Sequence, residues 1–372
     1  VSLATADEKR RALGYKVGQQ EVCDWFFPAA TAKGYELPII NEIWDVLRAF
    51  ASFGFCKAHA AAFALPTYQS AWLKTHYPAA FLAGVLTHDP GMYPKRLIVD
   101  EARQMGITIA PLDVNASDSV YRVEDHGNAI RIALSTVSGI SDTEVQSIIA
   151  GRPYIDLNDF VRRSGASAPV TESMILTGAF DALHDNVNRR DLLLHFSDLQ
   201  KSPSAGVSGA QMNLGFEPPA LISSGLPAMT AAESVKYEVD RLGIDMSRHM
   251  IEFYGDFLNA IGAVRSSDLL KQRSQSSVLV AGIKVAMQTP PVRSGKRVIF
   301  LTLDDGYGCS DSTFFTDVQS EYANVLYSTS LLLVRGVTRR TGARGISIRA
   351  TGAWDLRAAY ESWSAKQSTL AI

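Results

Sequence analysis

From Phe50 to Pro78 the chain reads F-A-S-F-G-F-C-K-A-H-A-A-A-F-A-L-P-T-Y-Q-S-A-W-L-K-T-H-Y-P, and it continues A-A-F-L-A-G-V-L-T-H-D-P-G-M-Y as far as Tyr93. Gly54 interrupts the helical pattern before it, and Lys57 and His59 stand at the mouth of a new helix. Phe63, Tyr68 and Trp72 follow at roughly helical spacing. The first turn of a helix has free N–H groups and the positive end of the helix dipole. A Lys and a His beside it add donors suited to phosphate oxygens. Phe63, one turn on, is placed to lie against a sugar or a base. The same residues also spell a capped core helix, because Gly-x-x-Lys ahead of an Ala-rich helix is a common pattern.

The length of the pattern separates these readings. Taken whole, the run resembles the fingers of the bacterial C-family DNA polymerases, the DNA polymerase III alpha subunits. The matching positions are Phe55, Lys57, His59, Ala60, Ala61, Phe63 and Ala64, then Tyr68, Gln69, Leu73, Lys74, His76, Tyr77 and Pro78. Within that family, Cys56 and the run H-D-P-G-M-Y-P-K-R from His88 to Arg96 resemble the error-prone branch, polymerases of translesion synthesis and damage-induced mutagenesis. The resemblance implies that Lys57 and His59 face the triphosphate of an incoming dNTP and that Phe63 lies near its sugar and base. It further implies primer–template DNA as a partner, and either the sliding clamp or mutagenesis accessory proteins as recruiters. Polymerisation needs paired carboxylates around two metal ions about 4 Å apart. The resemblance places those carboxylates, with their Mg2+, in a palm domain ahead of Val1. The expectation is therefore the C-terminal part of a polymerase, with no catalytic residue in this chain and no activity by itself.

Composition sets the frame. The chain has 372 residues, 47% of them hydrophobic and 20% charged, which suits a multidomain globular protein without long disorder. No apolar run reaches membrane-spanning length and no signal peptide opens the chain, so the expected location is the cytoplasm, with no membrane partner. Cys23, Cys56 and Cys309 are far apart and form no metal-ligand spacing, which fits a reducing compartment without structural zinc. A net charge of −2 means that any grip on nucleic acid comes from local basic patches. Val in the first position suits a fragment or a processed terminus equally.

Residues 1–132 read as the fingers portion. Pro28 and Gly34 mark breaks between early helices, Leu37 to Phe50 has helical period, and Pro66 is expected to kink or break the central helix. An amphipathic helix follows from Tyr93 to Met105, and D-H-G-N at 125–128 is a hairpin turn in a short-stranded region. Residues 133–198 carry two apolar-x-Gly-apolar turns, Val137 to Ile140 and Leu176 to Phe180, the first leading into a capping box of Ser141 and Glu144. They resemble paired helix-hairpin-helix turns, in which N–H groups beside Gly139 and Gly178 grip DNA phosphate without reading sequence. Ordinary helix-loop-helix glycines are the other reading of the same residues.

Residues 199–276 form a linker and helical connector, Ser/Pro/Gly/Ala-rich up to 235. Within it, Q-M-N-L-G-F resembles the short peptides that insert into the sliding clamp, Leu214 and Phe216 filling a pocket and Gln211 anchoring by hydrogen bonds. From 277 to 356, five short strands and one helical stretch, Gln319 to Val325, suit a Greek-key barrel of the oligonucleotide-binding type. Alternation exposes Lys284, Arg335 and Arg349, and turns expose Arg293, Lys296, Arg339, Arg340 and Arg344, a groove for single-stranded template or simply a solvated barrel face. Residues 357–372 read as a tail. Asp304 and Asp305 are adjacent carboxylates, but neighbours at a strand end point to opposite faces and do not converge on a metal pair. The expected fold class is thus multidomain α plus β: mainly helical fingers and helix-hairpin-helix region, then a C-terminal OB-type β-barrel. A replicative alpha subunit and a non-enzymatic DNA-binding protein of helix-hairpin-helix and OB modules are the alternatives.

Overall fold

Three helices open the chain, α1 (Leu3–Ala12), α2 (Lys16–Thr31) and α3 (Leu37–Ala49), of which α3 carries the clearest apolar stripe, with Ile40 and Trp44 buried. Leu13, Val22 and Trp44 meet there with Phe26 and Phe27 packed against them, and the Phe26 and Trp44 rings stack at 6.1 Å. The computed structural model describes residues 2–49, 57–89, 91, 93–201, 220–290 and 297–370. Two compact units divide the chain, Val1–Trp72 and Leu73–Ile372.

Neither Pro28 nor Pro66 ends its helix. Pro28 lies inside α2, which runs on to Thr31. Only three residues follow the proline, so the loss is one hydrogen bond to the Asp24 carbonyl, and the neighbouring Phe26 and Phe27 are held by Trp44. Pro66 likewise sits within a continuous α4 (Lys57–His76). The Thr67 hydroxyl donates to the Phe63 carbonyl at 2.7 Å, next to the Ala62 carbonyl that the proline leaves unpaired.

In the second unit α5 (Pro78–His88) and α6 (Lys95–Gln104) bury Leu82, Leu86, Val99 and Ala102. A three-stranded sheet covers them: β1 (Thr108–Ala110) runs parallel to β3 (Ala129–Arg131), and β2 (Arg122–Glu124) pairs antiparallel with β3 across the expected turn at 125–128. Helices α7 (Asp142–Ala150), α8 (Leu157–Arg163), α9 (Ala168–Leu176) and α10 (Arg189–Lys201) continue the same core. Tyr154, Phe160 and Phe180 join edge-to-face at 5.0 and 4.9 Å. Each such fully buried side chain contributes about 1.5–3 kcal/mol. The expected linker is helical again from α11 (Ala231–Leu242), where Thr230 and Glu233 form a second capping box, and Ile244 and Met246 beyond it return to the core.

The short helices α12 (Gly255–Ala260) and α13 (Ser266–Leu269) lead into a closed barrel. Its strands are β4 (Ser277–Gln288), β5 (Ile299–Asp304), β6 (Cys309–Phe314), β7 (Leu331–Arg340) and β8 (Ile346–Asp355), in the order β4-β5-β6-β8-β7, with β7 returning to β4. Only β6 and β8 are parallel, and α14 (Thr316–Ser328) lies between β6 and β7, an OB-type topology. Val280, Leu301, Phe314, Leu332, Val334 and Ile348 fill the interior, and Leu326 of α14 closes one end. β6 begins at Cys309, ahead of the run S-T-F-F-T-D-V from Ser312 that reads as a strand, since serines at 310 and 312 take the inward positions that strand signals expect to be apolar. Residues beyond 356 are not a tail: α15 (Leu356–Leu370) packs Tyr360 and Trp363 against Phe257. Among the described residues no helix is long and apolar enough to cross a membrane.

Candidate nucleic-acid interface

Lys57 is the first residue of α4, as the sequence suggests, and His59 sits within the first turn. The His59 ring lies 4.5 Å from Phe63 at 56°, and Phe63 is 59% exposed. An exposed aromatic pair beside a helix N-terminus offers a stacking face next to free N–H groups.

The two glycine turns differ sharply. Gly139 is exposed with φ +81°, and a Cβ there would meet nothing within 4 Å. Immediately after it, the Ser141 hydroxyl accepts the N–H of Glu144, while Glu144 accepts the Ser141 N–H at 2.9 Å and reaches across to the Ser167 N–H at 2.9 Å. Those two backbone donors hold the Glu144 carboxyl well below its usual range, at about 2. The turn is thus open, rigid and followed by a capped helix. Gly178 also has positive φ, but it is buried, and a Cβ there would run into the Arg189 guanidinium. Arg189 itself is tied to Asp181 at 2.6 Å and to the Leu176 carbonyl at 3.1 Å. Thr177, Ala179 and Phe180 are buried with it, so Gly178 has a packing role and presents no backbone N–H to a phosphate.

On the barrel, a groove of about 430 Å3 runs across β7 and β8 toward the start of α14. Arg339, Arg349, Phe315, Thr313, Ser347 and Thr351 line it. Val337 pairs with Arg349 and Arg339 with Ser347, which sets both arginines on the outer face. The Arg349 guanidinium lies over the Phe315 ring at 5.5 Å and contacts Asp317 at 3.4 Å. Both partners of that ion pair are exposed, so it is worth at most about 1 kcal/mol and leaves the arginine available. Arg335 is exposed but lies over Trp354 at 5.3 Å. Arg344 is exposed in the β7–β8 turn, and Arg340, also exposed, is anchored to the Leu270 carbonyl. Lys284 is the exception: its Nζ donates to the Leu326 carbonyl at 2.8 Å, which makes it a clip between β4 and α14. The run S-T-F-F-T-D-V from Ser312 to Val318 reads as a strand, which hides that Phe315 is the N-cap residue of α14. Gln211, Leu214, Phe216, Arg293 and Lys296 lie outside the described residues.

Carboxylates converge elsewhere. Asp100, Asp245 and His249 bring side-chain N and O atoms within 4.8 Å of one another, all buried, with Asp304 adjoining. Asp305 turns the opposite way, accepting from the Ser266 N–H at 2.7 Å and the Ser266 hydroxyl at 2.5 Å. These groups do not fit a catalytic ion pair, since Asp100, Asp245 and Asp304 are at most 1% exposed and no primer end or triphosphate can reach them.

Residues 106–192 match the family model of the helix-hairpin-helix motif. The chain is 31% identical to an error-prone DNA polymerase of Symbiobacterium thermophilum, over 92% of this chain and 36% of that protein. It is 30% identical to an error-prone DNA polymerase of Bdellovibrio bacteriovorus, over 82% of this chain and 30% of that protein. A DNA polymerase III alpha subunit of Vibrio cholerae is 29% identical over 98% of this chain and 33% of its own length. The chain thus spans about a third of the length of these relatives. From its helix-hairpin-helix region, its OB-type barrel and this similarity along most of its length, the chain belongs to the family of bacterial error-prone DNA polymerases and DNA polymerase III alpha subunits.

Proposed function

We propose that this chain is the substrate-gripping part of an error-prone DNA-directed DNA polymerase. The observation that carries the reading is 31% identity to a protein of that name over 92% of the chain. Cys56 and the His88 to Arg96 run favour the error-prone branch over a replicative alpha subunit. In this reading, Lys57, His59 and Phe63 meet the incoming dNTP, and the open Gly139 turn holds duplex phosphate. The barrel groove, with Arg339, Arg349 and Phe315, takes the single-stranded template, with Arg335, Arg340 and Arg344 adding positive potential around it. Mg2+ and the carboxylates that bind it belong to the palm of a complete polymerase, as do the chemical step and the role in damage tolerance. Gln211, Leu214 and Phe216 are the proposed contact to a sliding clamp, and the cytoplasm is the proposed location.

The test is binding of fluorescent oligonucleotides across a salt series. Arg339→Ala with Arg349→Ala is expected to lower the slope of log K against log[salt] for single strands by about 1.4, as each lost phosphate contact on a single strand lowers it by about 0.7. Gly139→Ala, strained at positive φ, is expected to weaken duplex binding and leave single-strand binding unchanged. Unaltered binding of both DNA forms by both variants would remove the interface from these positions.

A further inference from the structure

The cluster between α6 and the barrel holds more buried charge than it pairs. Asp100 on α6, Asp245 after α11 and Asp304 at the end of β5 are each at most 1% exposed, and His249 is 2% exposed. Asp100 Oδ1 accepts from Arg103 at 2.6 Å, and Asp304 Oδ1 accepts from the Gly306 N–H at 3.0 Å. Arg103 spends its other Nη on the carbonyls of Asp245 and Met246. Left over, without a hydrogen-bond partner, are Asp100 Oδ2, Asp304 Oδ2, both carboxylate oxygens of Asp245, and His249 Nε2. His249 Nε2 lies 3.4 Å from Asp304 Oδ2 and 3.6 Å from Asp100 Oδ2. Three buried carboxylates against one guanidinium cannot all remain ionised at acceptable cost.

Either a cation or protons must balance them, and the histidine decides between the two. Its Nδ1 accepts the Ile251 N–H at 3.2 Å, so the neutral ring carries its hydrogen on Nε2. With that hydrogen in place Nε2, 3.4 and 3.6 Å from the two Oδ2 atoms, has no lone pair to give a metal ion. We propose that Asp100, Asp304 and His249 form a proton-sharing latch, closed while Asp100 is protonated, that holds the β5–β6 turn of the barrel against α6. In the closed state the Asp100 acid and the His249 Nε2–H supply two donors among the carboxylate oxygens that Arg103 and the Gly306 N–H leave unpaired. When the proton leaves to solvent, Asp100 and Asp304 face each other as anions across one N–H and the turn loosens.

The groups facing Asp100 agree with this. Asp245 and Asp304 oppose its ionisation and Arg103 favours it; His249, whose own pKa the three carboxylates raise against the opposing effect of burial, favours it by charge when the ring is protonated; Arg96 is committed to the Lys284 carbonyl at 3.1 Å, and Asp305 points away. Burial first, and Asp245 second, push the Asp100 carboxyl up to about 7. A carboxyl whose closed-state value is raised binds its proton more tightly when closed than when open. The latch is therefore fully closed below the ordinary carboxylate range, weakens as pH rises through it, and levels off above about 7.

Hydrogen exchange of the whole chain, corrected for intrinsic rates, reads this directly. Protection of the amides over 304–308 is expected to fall about tenfold per pH unit between pH 5 and 7, and to flatten above, while amides of α7 to α10 keep theirs. Asp100→Asn, a neutral isostere, is expected to lose most of that slope. The inference is overturned if wild-type protection over 304–308 is independent of pH, a measurement that needs no variant, or if Asp100→Asn keeps the full slope. It is equally overturned if elemental analysis finds a stoichiometric metal whose removal by EDTA lowers the same protection, which would mean a cation closes the site. None of these outcomes depends on DNA binding.

Discussion

At the scale of single residues, Glu144 does the most with one side chain. It closes the capping box of α7 and, through its second oxygen, holds the Ser167 N–H at the entrance to α9. Because two backbone donors depress its carboxyl to about 2, its contribution is fully present above the ordinary glutamate range and lost as pH falls from there toward 2. In acid titrations followed by circular dichroism, Glu144→Gln is expected to reduce the loss of stability between pH 5 and 3. Ser141→Ala, which deletes the reciprocal half of the box, is expected to cost about 1 kcal/mol at neutral pH. An acid limb identical to wild type in Glu144→Gln would show that these two bonds are not what holds the turn.

At the scale of elements, β6 is an unusual barrel strand. Its inward residues are Ser310, Ser312 and Phe314, and the Ser312 hydroxyl, 1% exposed, has no partner. Ser312 faces Ile348 in the parallel β6–β8 pairing, where a small residue lets the two strands approach. A buried hydroxyl without a partner costs on the order of 1–3 kcal/mol, so Ser312→Ala removes a penalty and only one atom of packing. The expected outcome is an unchanged or higher urea midpoint. A fall of more than about 1 kcal/mol would show that the hydroxyl finds a partner, such as an internal water. The same reasoning separates Lys284 from the other cations of the barrel. Spacing along β4 marks it as outward, yet its ammonium reaches the α14 carbonyl at Leu326, and only the placement of that helix makes the bond possible.

At the scale of the whole molecule, a net charge of −2 means that no general positive field draws DNA to the chain. On the proposed reading, attraction comes from the barrel groove and exposed turns, and binding should be strongly salt-dependent there. With the chain spanning about a third of its relatives, nucleotide selection is measurable only in a complete polymerase. There, Lys57→Ala and His59→Ala are each expected to raise the Michaelis constant for dNTP about tenfold or more, through lost charge-assisted bonds of about 1.5–3 kcal/mol. Unchanged kinetics in both variants would detach the start of α4 from the nucleotide.

Local signals in the sequence determined much of this. Lys57 at the start of a helix, the Ser141 and Glu144 box, the 125–128 turn and the alternation of the barrel strands all depend on residues within a turn or two of each other. Family membership was legible for the same reason, since the run from Phe55 to Pro78 is a contiguous pattern. Tertiary structure decided what depends on neighbours distant in sequence. It buried Gly178 under Arg189 while leaving Gly139 open, although both glycines sit in similar turns. It carried α2 through Pro28 and α4 through Pro66, because packing and side-chain bonds there outweigh one lost backbone bond. It also joined Asp100, Asp245, His249 and Asp304 into one buried cluster from segments up to about two hundred residues apart, a proximity that no local spacing encodes because folding alone removes those charges from water.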